Sequence, residues 1–191
     1  MDLRELVRSA RSIRRFEQDK PLSETFMLNL IDLARFAPSG GNLQPIKYTY
    51  SVDKKLNDKV FNTLSWAGYL ADWDGPKQGE QPAGYIIVCL DKEIKSETID
   101  HGFSTQNILL GAAEQRVGAC VIKSINKQQL CEILKLDKRY EILLVIALGY
   151  PAETVKMEEV NNENIRYWRD RGDVFHVPKR ALKELIISKN K

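Results

Sequence analysis

At 191 residues the chain is long enough for one domain with a full hydrophobic core and short for two. A composition of 43% hydrophobic and 29% charged residues describes a soluble globular protein, and no apolar run approaches the roughly 18 residues of a membrane span, so neither a membrane role nor a secretion leader is expected and the cytoplasm is the expected location. The net charge of +3 is small for a nucleic-acid binder, and three cysteines without CxxC spacing and two distant histidines, His101 and His176, leave no pattern for a disulfide framework or a metal site. Cys89, Cys120 and Cys131 read instead as core thiols, and His101 as structural.

In chain order, Leu3, Leu6, Val7 and Ala10 recur at helical spacing, so a short amphipathic helix is predicted to end near residues 9–12. A basic cluster, Arg11-Ser12-Ile13-Arg14, follows it. Pro21 and Ser23 announce a second helix with Ser23 as N-cap, whose positions Phe26, Leu30, Leu33, Ala34 and Ala37 run to Pro38. After a loop at 38–45, the alternation of Ile46, Tyr48, Tyr50 and Val52 predicts a half-buried strand. Residues 54–70 read as helical, and 71–82, with Trp73, Gly75, Pro76, Gly79 and Pro82, as an irregular excursion of the kind used for lids. Strands follow at 86–90, 119–122 and 142–148, with a small-residue-rich helix from about Glu97 to Arg116 and another opened by Asn126 with Gln129 three residues on. The segment after Pro151 has too little apolar surface between 152 and 174 for a core of its own; it is either disordered or wraps another surface, which Tyr167, Trp168 and Phe175 favour, and it closes in a short helix with Leu182, Leu185 and Ile186.

Basic residues gather at the two ends: residues 1–20 carry six Lys/Arg against four acids, and 161–191 eight against four. Such ends are either scattered surface charge or the means to neutralise one compact anion. Arg11, Ser12 and Arg14 offer the planar donors and hydroxyl that a phosphate needs, although in an extended segment Arg11 faces away from the other two and needs a local turn to join them. On spacing alone the segment is either a phosphate grip or an ordinary basic turn. The loop at 38–45, with Gly40, Gly41, Ser39, Asn42 and Gln44 between two prolines, is likewise either a ligand wall or a helix-to-strand connection. No GxxxxGK[ST] or GxGxxG loop is present.

Taken in order, these pieces resemble the nitroreductase family of flavin enzymes. Arg11 to Phe16 resembles its RRSxRxF opening, Ala37 to Pro45 its APSxxNxQP loop, Val117 to Ile122 its GLGxCWIG strand, Leu148-Gly149-Tyr150-Pro151 its LGYP turn, and Pro178 to Leu182 its basic carboxy-terminal motif. The resemblance implies an α+β, three-layer fold, a mixed and mainly antiparallel sheet between helices, in an intertwined homodimer, with 1–191 one domain and 152–191 a tail wrapping the partner. It implies FMN held by Arg11, Ser12 and Arg14, by Pro38, Ser39, Asn42 and Gln44 from the other subunit, by Ile122 and Lys123 beside flavin N5, and by Lys179 and Arg180 on the phosphate. It implies NADH or NADPH as reductant, a ping-pong cycle ending on a nitroaromatic, quinone or similar small electron-poor substrate, hydride carried at N5, and no catalytic side chain. Trp66, Tyr69 and Trp73 are candidates for an aromatic pocket wall, with core packing the alternative for at least one. Three departures stand out: Ala10 where an arginine is frequent, which shifts weight to Lys179 and Arg180; Lys123 where glycine is common; and Val121 for a common tryptophan. Specialised relatives imply two alternatives, a dehalogenase, azoline oxidase or flavin-destructase, and a non-catalytic flavin-binding dimer.

Overall fold

Four strands, β1 (Ile46–Ser51), β2 (Gly84–Asp91), β3 (Gly118–Ile122) and β4 (Tyr140–Gly149), make an antiparallel sheet in the order β1-β2-β4-β3. The computed structural model describes residues 1–95 and 99–188. The two central strands are apolar on both faces, and each face is covered by its own core. On one face, Ile86, Val88, Ile146 and Leu148 pack against Met27, Leu30 and Ala34 of α2 (Glu24–Arg35) and Ile108 and Ala112 of α4 (Asp100–Glu114). On the other, Tyr85, Ile87, Val145 and Ala147 pack against Val60 of α3 (Lys54–Phe61), Leu130 of α5 (Lys127–Leu134), and Ile13, Phe16 and Trp66. This is the expected three-layer α+β arrangement. Cys89 and Cys120 lie in the second core, where burial pushes their thiols up to about 12 and about 11; they are un-ionised and unreactive at neutral pH.

The predicted caps form. Ser23 Oγ accepts from Phe26 N at 3.1 Å, and Asn126 Oδ1 accepts from Gln129 N at 3.2 Å. The close packing expected at Gly111 is the crossing of α4 over Leu30 and Leu33 of α2. The predicted start of that helix at Glu97 lies outside the described residues; its described part begins at Asp100. The first helix, α1 (Leu3–Ser9), buries none of its side chains, and Leu3 and Val7 stay exposed.

Two expectations need correction. The helix expected over 54–70 stops at Phe61, because Leu64 bridges to Ile125, Ser65 N donates to Ser124 O, and Ala67 takes a left-handed φ of 37°. The segment beyond Pro151 is not without regular structure: β5 (Val155–Glu159), β6 (Trp168–Arg169) and β7 (Phe175–Lys179) form a second sheet, with β7 central, parallel to β5 and antiparallel to β6. It lies against its own chain, since Phe175 is fully buried and Tyr167 packs tilted against Tyr69 with ring centroids 4.9 Å apart. Its end, with α6 (Leu182–Leu185) and Ile187, leaves its apolar side chains exposed, and Ile165 and Trp168 before it are exposed too.

This second sheet is stitched by charge. His176 on β7 stacks on Trp168 of β6, with rings 5° from parallel and 4.8 Å apart, while Nδ1 lies 2.8 Å from Glu158 Oε1 on β5 and Nε2 3.0 Å from Asp170 Oδ2 beyond β6. Asp170 first and Glu158 second raise the imidazole pKa, and the charged ring in turn holds both carboxylates below their usual range. Because the folded histidine pKa is raised, its contribution is fully present below the unfolded value of about 6.5 and is lost as pH rises through the folded one. Thermal melts of the native protein should show this alkaline-side loss, and His176→Gln should remove it; an unchanged pH profile in the variant would contradict the clamp.

Candidate functional site

The basic cluster is laid on the end of the main sheet, where two glycines make room for it. Gly118 and Gly149 face each other across β3 and β4. A Cβ at Gly118 would lie 2.8 Å from Ile13, and one at Gly149 2.9 Å from Phe16, so the 11–16 segment lies directly on bare backbone. Ile13 N donates to Ala119 O at 3.0 Å, and Ala152 N to Arg15 O at 2.9 Å. Gly149→Ala should displace Phe16 and cost about 1 to 3 kcal/mol by overpacking, read as a lowered melting temperature; an unchanged melt would show that Phe16 has room.

From this bed the arginines part company. Arg11 N donates to Ser9 O, a turn that swings the side chain round to a cleft of about 260 Å³ lined by Arg11, Ser12, Gly118, Ala119, Val121 and Pro151 among others. That is the local turn which joining Ser12 required. The Arg11 guanidinium donates to Val7 O at 2.9 Å and to Met157 Sδ at 3.7 Å, while its Nε is buried without a partner. Desolvation lowers the Arg11 pKa. Arg14 goes elsewhere: its guanidinium stacks on Tyr167 at 4.9 Å and Phe175 at 4.8 Å. Among the described residues neither Arg11 nor Arg14 has a carboxylate at ion-pair distance, whereas Arg15 pairs with Glu80 and Asp173, Arg169 with Glu153 and Asp173, and Arg180 with Glu184.

Glu153 fixes where Arg14 lies. Its carboxylate, 1% exposed, accepts from the backbone N–H groups of Arg14 and Arg15 and pairs with Arg169 at 2.6 Å. Sequence reading missed Glu153, Arg169 and the Arg14 contacts of Tyr167 and Phe175. The tail aromatics were visible, but nothing in the spacing marks one acid after LGYP as buried.

The other predicted residues divide. Lys179 ends β7, two residues beyond Val177, which pairs with Met157, the residue whose Sδ accepts from Arg11. Arg180 is engaged by Glu184 at 3.3 Å. Ile122 is buried at the end of β3 and Lys123 is exposed just after it. Tyr69, 48% exposed, lies on Tyr167, and Arg169 lies over Trp73 at 5.5 Å, so these two aromatics border the Arg14 stack. Trp66 does not: it is packed in the core against Phe61 and Gly75, with its indole N–H buried, which removes it from a pocket wall.

The 38–45 loop forms a different surface. Pro38, Ser39 and Gln44 line a cleft of about 380 Å³ with Tyr48, Asp100 and Ser104, sharing no residue with the Arg11 cleft. Gly41, Asn42 and Gln44 take left-handed φ values of 56°, 54° and 52°, and Gln44 Nε2 donates to Asn42 Oδ1 at 3.2 Å. Within one chain the loop and the basic cluster are therefore separate surfaces.

The layered α+β fold, with guanidinium groups unpaired at the end of its sheet among the described residues, can be set against known proteins. The model of the nitroreductase family matches residues 7–72 and 83–150, and the chain belongs to that family. A protein of Archaeoglobus fulgidus, provisionally named an NADH dehydrogenase/NAD(P)H nitroreductase, is 23% identical over 166 residues, covering 82% of this chain and 90% of its own. An iodotyrosine deiodinase of Thermotoga neapolitana is 20% identical over 181 residues, covering 86% and 97%. An FMN-dependent nitroreductase of Clostridium difficile superposes with a TM-score of 0.65 at 21% identity, covering 83% of this chain and 91% of that one, which establishes a shared fold. Among the described residues no helix is long and apolar enough to cross a membrane.

Proposed function

We propose that the chain is an FMN-dependent NAD(P)H oxidoreductase acting on nitroaromatics, quinones or similar electron-poor small molecules, as a homodimer with shared flavin sites. The observation that carries the reading is the Arg11 side chain, a guanidinium desolvated beside Ser12 with no acid partner among the described residues and a buried Nε without a partner among them. A desolvated cation without a carboxylate fits a site completed by an anion, and a phosphate monoester matches its planar donors. Arg11 and Ser12 would hold the phosphate with help from Lys179, while Arg180 would exchange Glu184 for it. Arg14, held by Glu153 and the two rings, would face the pyrimidine edge and favour the added negative charge of the reduced cofactor. Pro38, Ser39, Asn42 and Gln44 would come from the second subunit, and Ile122 and Lys123 would flank the reactive edge. Tyr69 and Trp73 would border the substrate. When bound, FMN supplies the two-electron chemistry between the nicotinamide and the acceptor.

The dimer has physical support in apolar side chains left exposed on neighbouring helices: Leu3 and Val7 of α1, Leu33 and Phe36 at the end of α2, and Phe103 of α4. In the 152–191 tail, the exposed Ile165, Trp168, Leu182, Leu185 and Ile187 would be the side chains that meet the partner. Light scattering should give a dimer; a monomer that binds flavin fully would contradict the shared site. Stopped-flow mixing of the FMN-loaded protein with NADH and NADPH tests the activity: rapid bleaching by at least one is expected. Slow bleaching by both would favour the specialised reading, which the likeness to a deiodinase supports, or the storage reading.

A further inference from the structure

The Ser39 hydroxyl has two partners inside its own chain. Its Oγ lies 2.6 Å from Asp100 Oδ2 and 2.9 Å from the backbone N of Gln44. The N–H can only donate, so it takes one lone pair of the hydroxyl. Asp100, 6% exposed in the first turn of α4, also receives the Gly40 N–H at 3.3 Å through Oδ1 and sits where helix N–H groups favour negative charge. Asp100 is thus an acceptor to the loop, and it takes the Ser39 proton. One lone pair of Ser39 remains for a ligand in the cleft that Ser39 lines.

Resting on the flavin reading above, we infer that Asp100 is a positioning residue that makes Ser39 an acceptor only, so that the loop meets a donor group of the cofactor, its ring imide N–H or a ribityl hydroxyl, and not its phosphate. Phosphate oxygens are acceptors, and two acceptors face to face repel. The division of labour follows. The arginine half-site takes the phosphate, and the loop half-site takes the ring and ribityl portion. Asp100 touches no ligand in this account; it acts through the orientation of one hydroxyl.

The test is a cycle of fluorescence titrations of the whole protein with FMN and with riboflavin, which lacks the phosphate. Ser39→Ala should weaken both by the same factor, roughly three- to tenfold for one hydrogen bond. Asp100→Ala should weaken both to a similar extent, and adding it to Ser39→Ala should cost little more, because the two act as one unit. A loss confined to FMN would place the hydroxyl on the phosphate and overturn the inference. So would a full additional loss from Asp100→Ala in the Ser39→Ala background, which would mark Asp100 as acting on the fold. If Asp100→Ala does not fold, Asp100→Asn, of nearly the same shape, carries the same cycle with the same expected non-additivity. A native protein that binds neither ligand defeats the flavin reading itself, a different result from native binding with the wrong pattern among the variants.

Discussion

Glu153→Ala should lower the unfolding free energy by about 3 to 5 kcal/mol, the cost of leaving a buried ion-pair partner uncompensated. The side chain is 1% exposed and Arg169 opposite it 13%, so solvent screens the pair little. Two backbone donors, the N–H groups of Arg14 and Arg15, are orphaned at the same time. Glu153→Gln keeps one acceptor and should recover part of the loss. Denaturant unfolding of the three proteins measures the order; equal midpoints for native and Glu153→Ala would show that the carboxylate holds nothing together. The functional corollary is that Arg14 loses its fixed place, so flavin should also be held less tightly by Glu153→Ala than by the native protein.

The second large effect concerns the arginines. Arg11→Ala should weaken FMN binding by roughly 10- to 100-fold, the worth of one charged hydrogen-bonding group, and weaken riboflavin far less. Arg14→Ala should weaken both and lower the flavin reduction potential, by an amount on the order of tens of millivolts if the lost stabilisation is 1 to 2 kcal/mol. Arg14→Lys separates charge from shape: a lysine should restore part of the potential but not the guanidinium's place over the Tyr167 and Phe175 rings. Redox titration of the three proteins checks this. An unshifted potential in Arg14→Ala would remove Arg14 from the flavin edge.

What could be read from the sequence follows from which forces leave a local pattern. The strands at 86–90 and 142–148 are continuous apolar runs because both faces of the main sheet are covered, and α2 and α5 announce themselves through Ser23 and Asn126. The second sheet leaves no such trace. It is held by His176 between Glu158 and Asp170, by Glu153 with Arg169, and by guanidinium groups on aromatic rings, and pairings of that kind have no period. Residues 62–70 misled in the other direction, since Leu64 and Trp66 continue an apolar rhythm that serves a bridge to Ile125 and a core position instead of another helical turn. Of the site, the 11–14 cluster and the 38–45 loop were visible as motifs. Their supports, Glu153 for the first and Asp100 for the second, lie 139 and 61 residues away from the atoms they hold and become evident only in three dimensions.

On the proposed reading the basic cluster would grip a flavin phosphate, and titration of FMN with the purified native protein tests that most directly. Saturable quenching of the flavin fluorescence is predicted, with one flavin per chain and tighter binding of FMN than of riboflavin. Fluorescence that stays unquenched at protein in excess over FMN would contradict it.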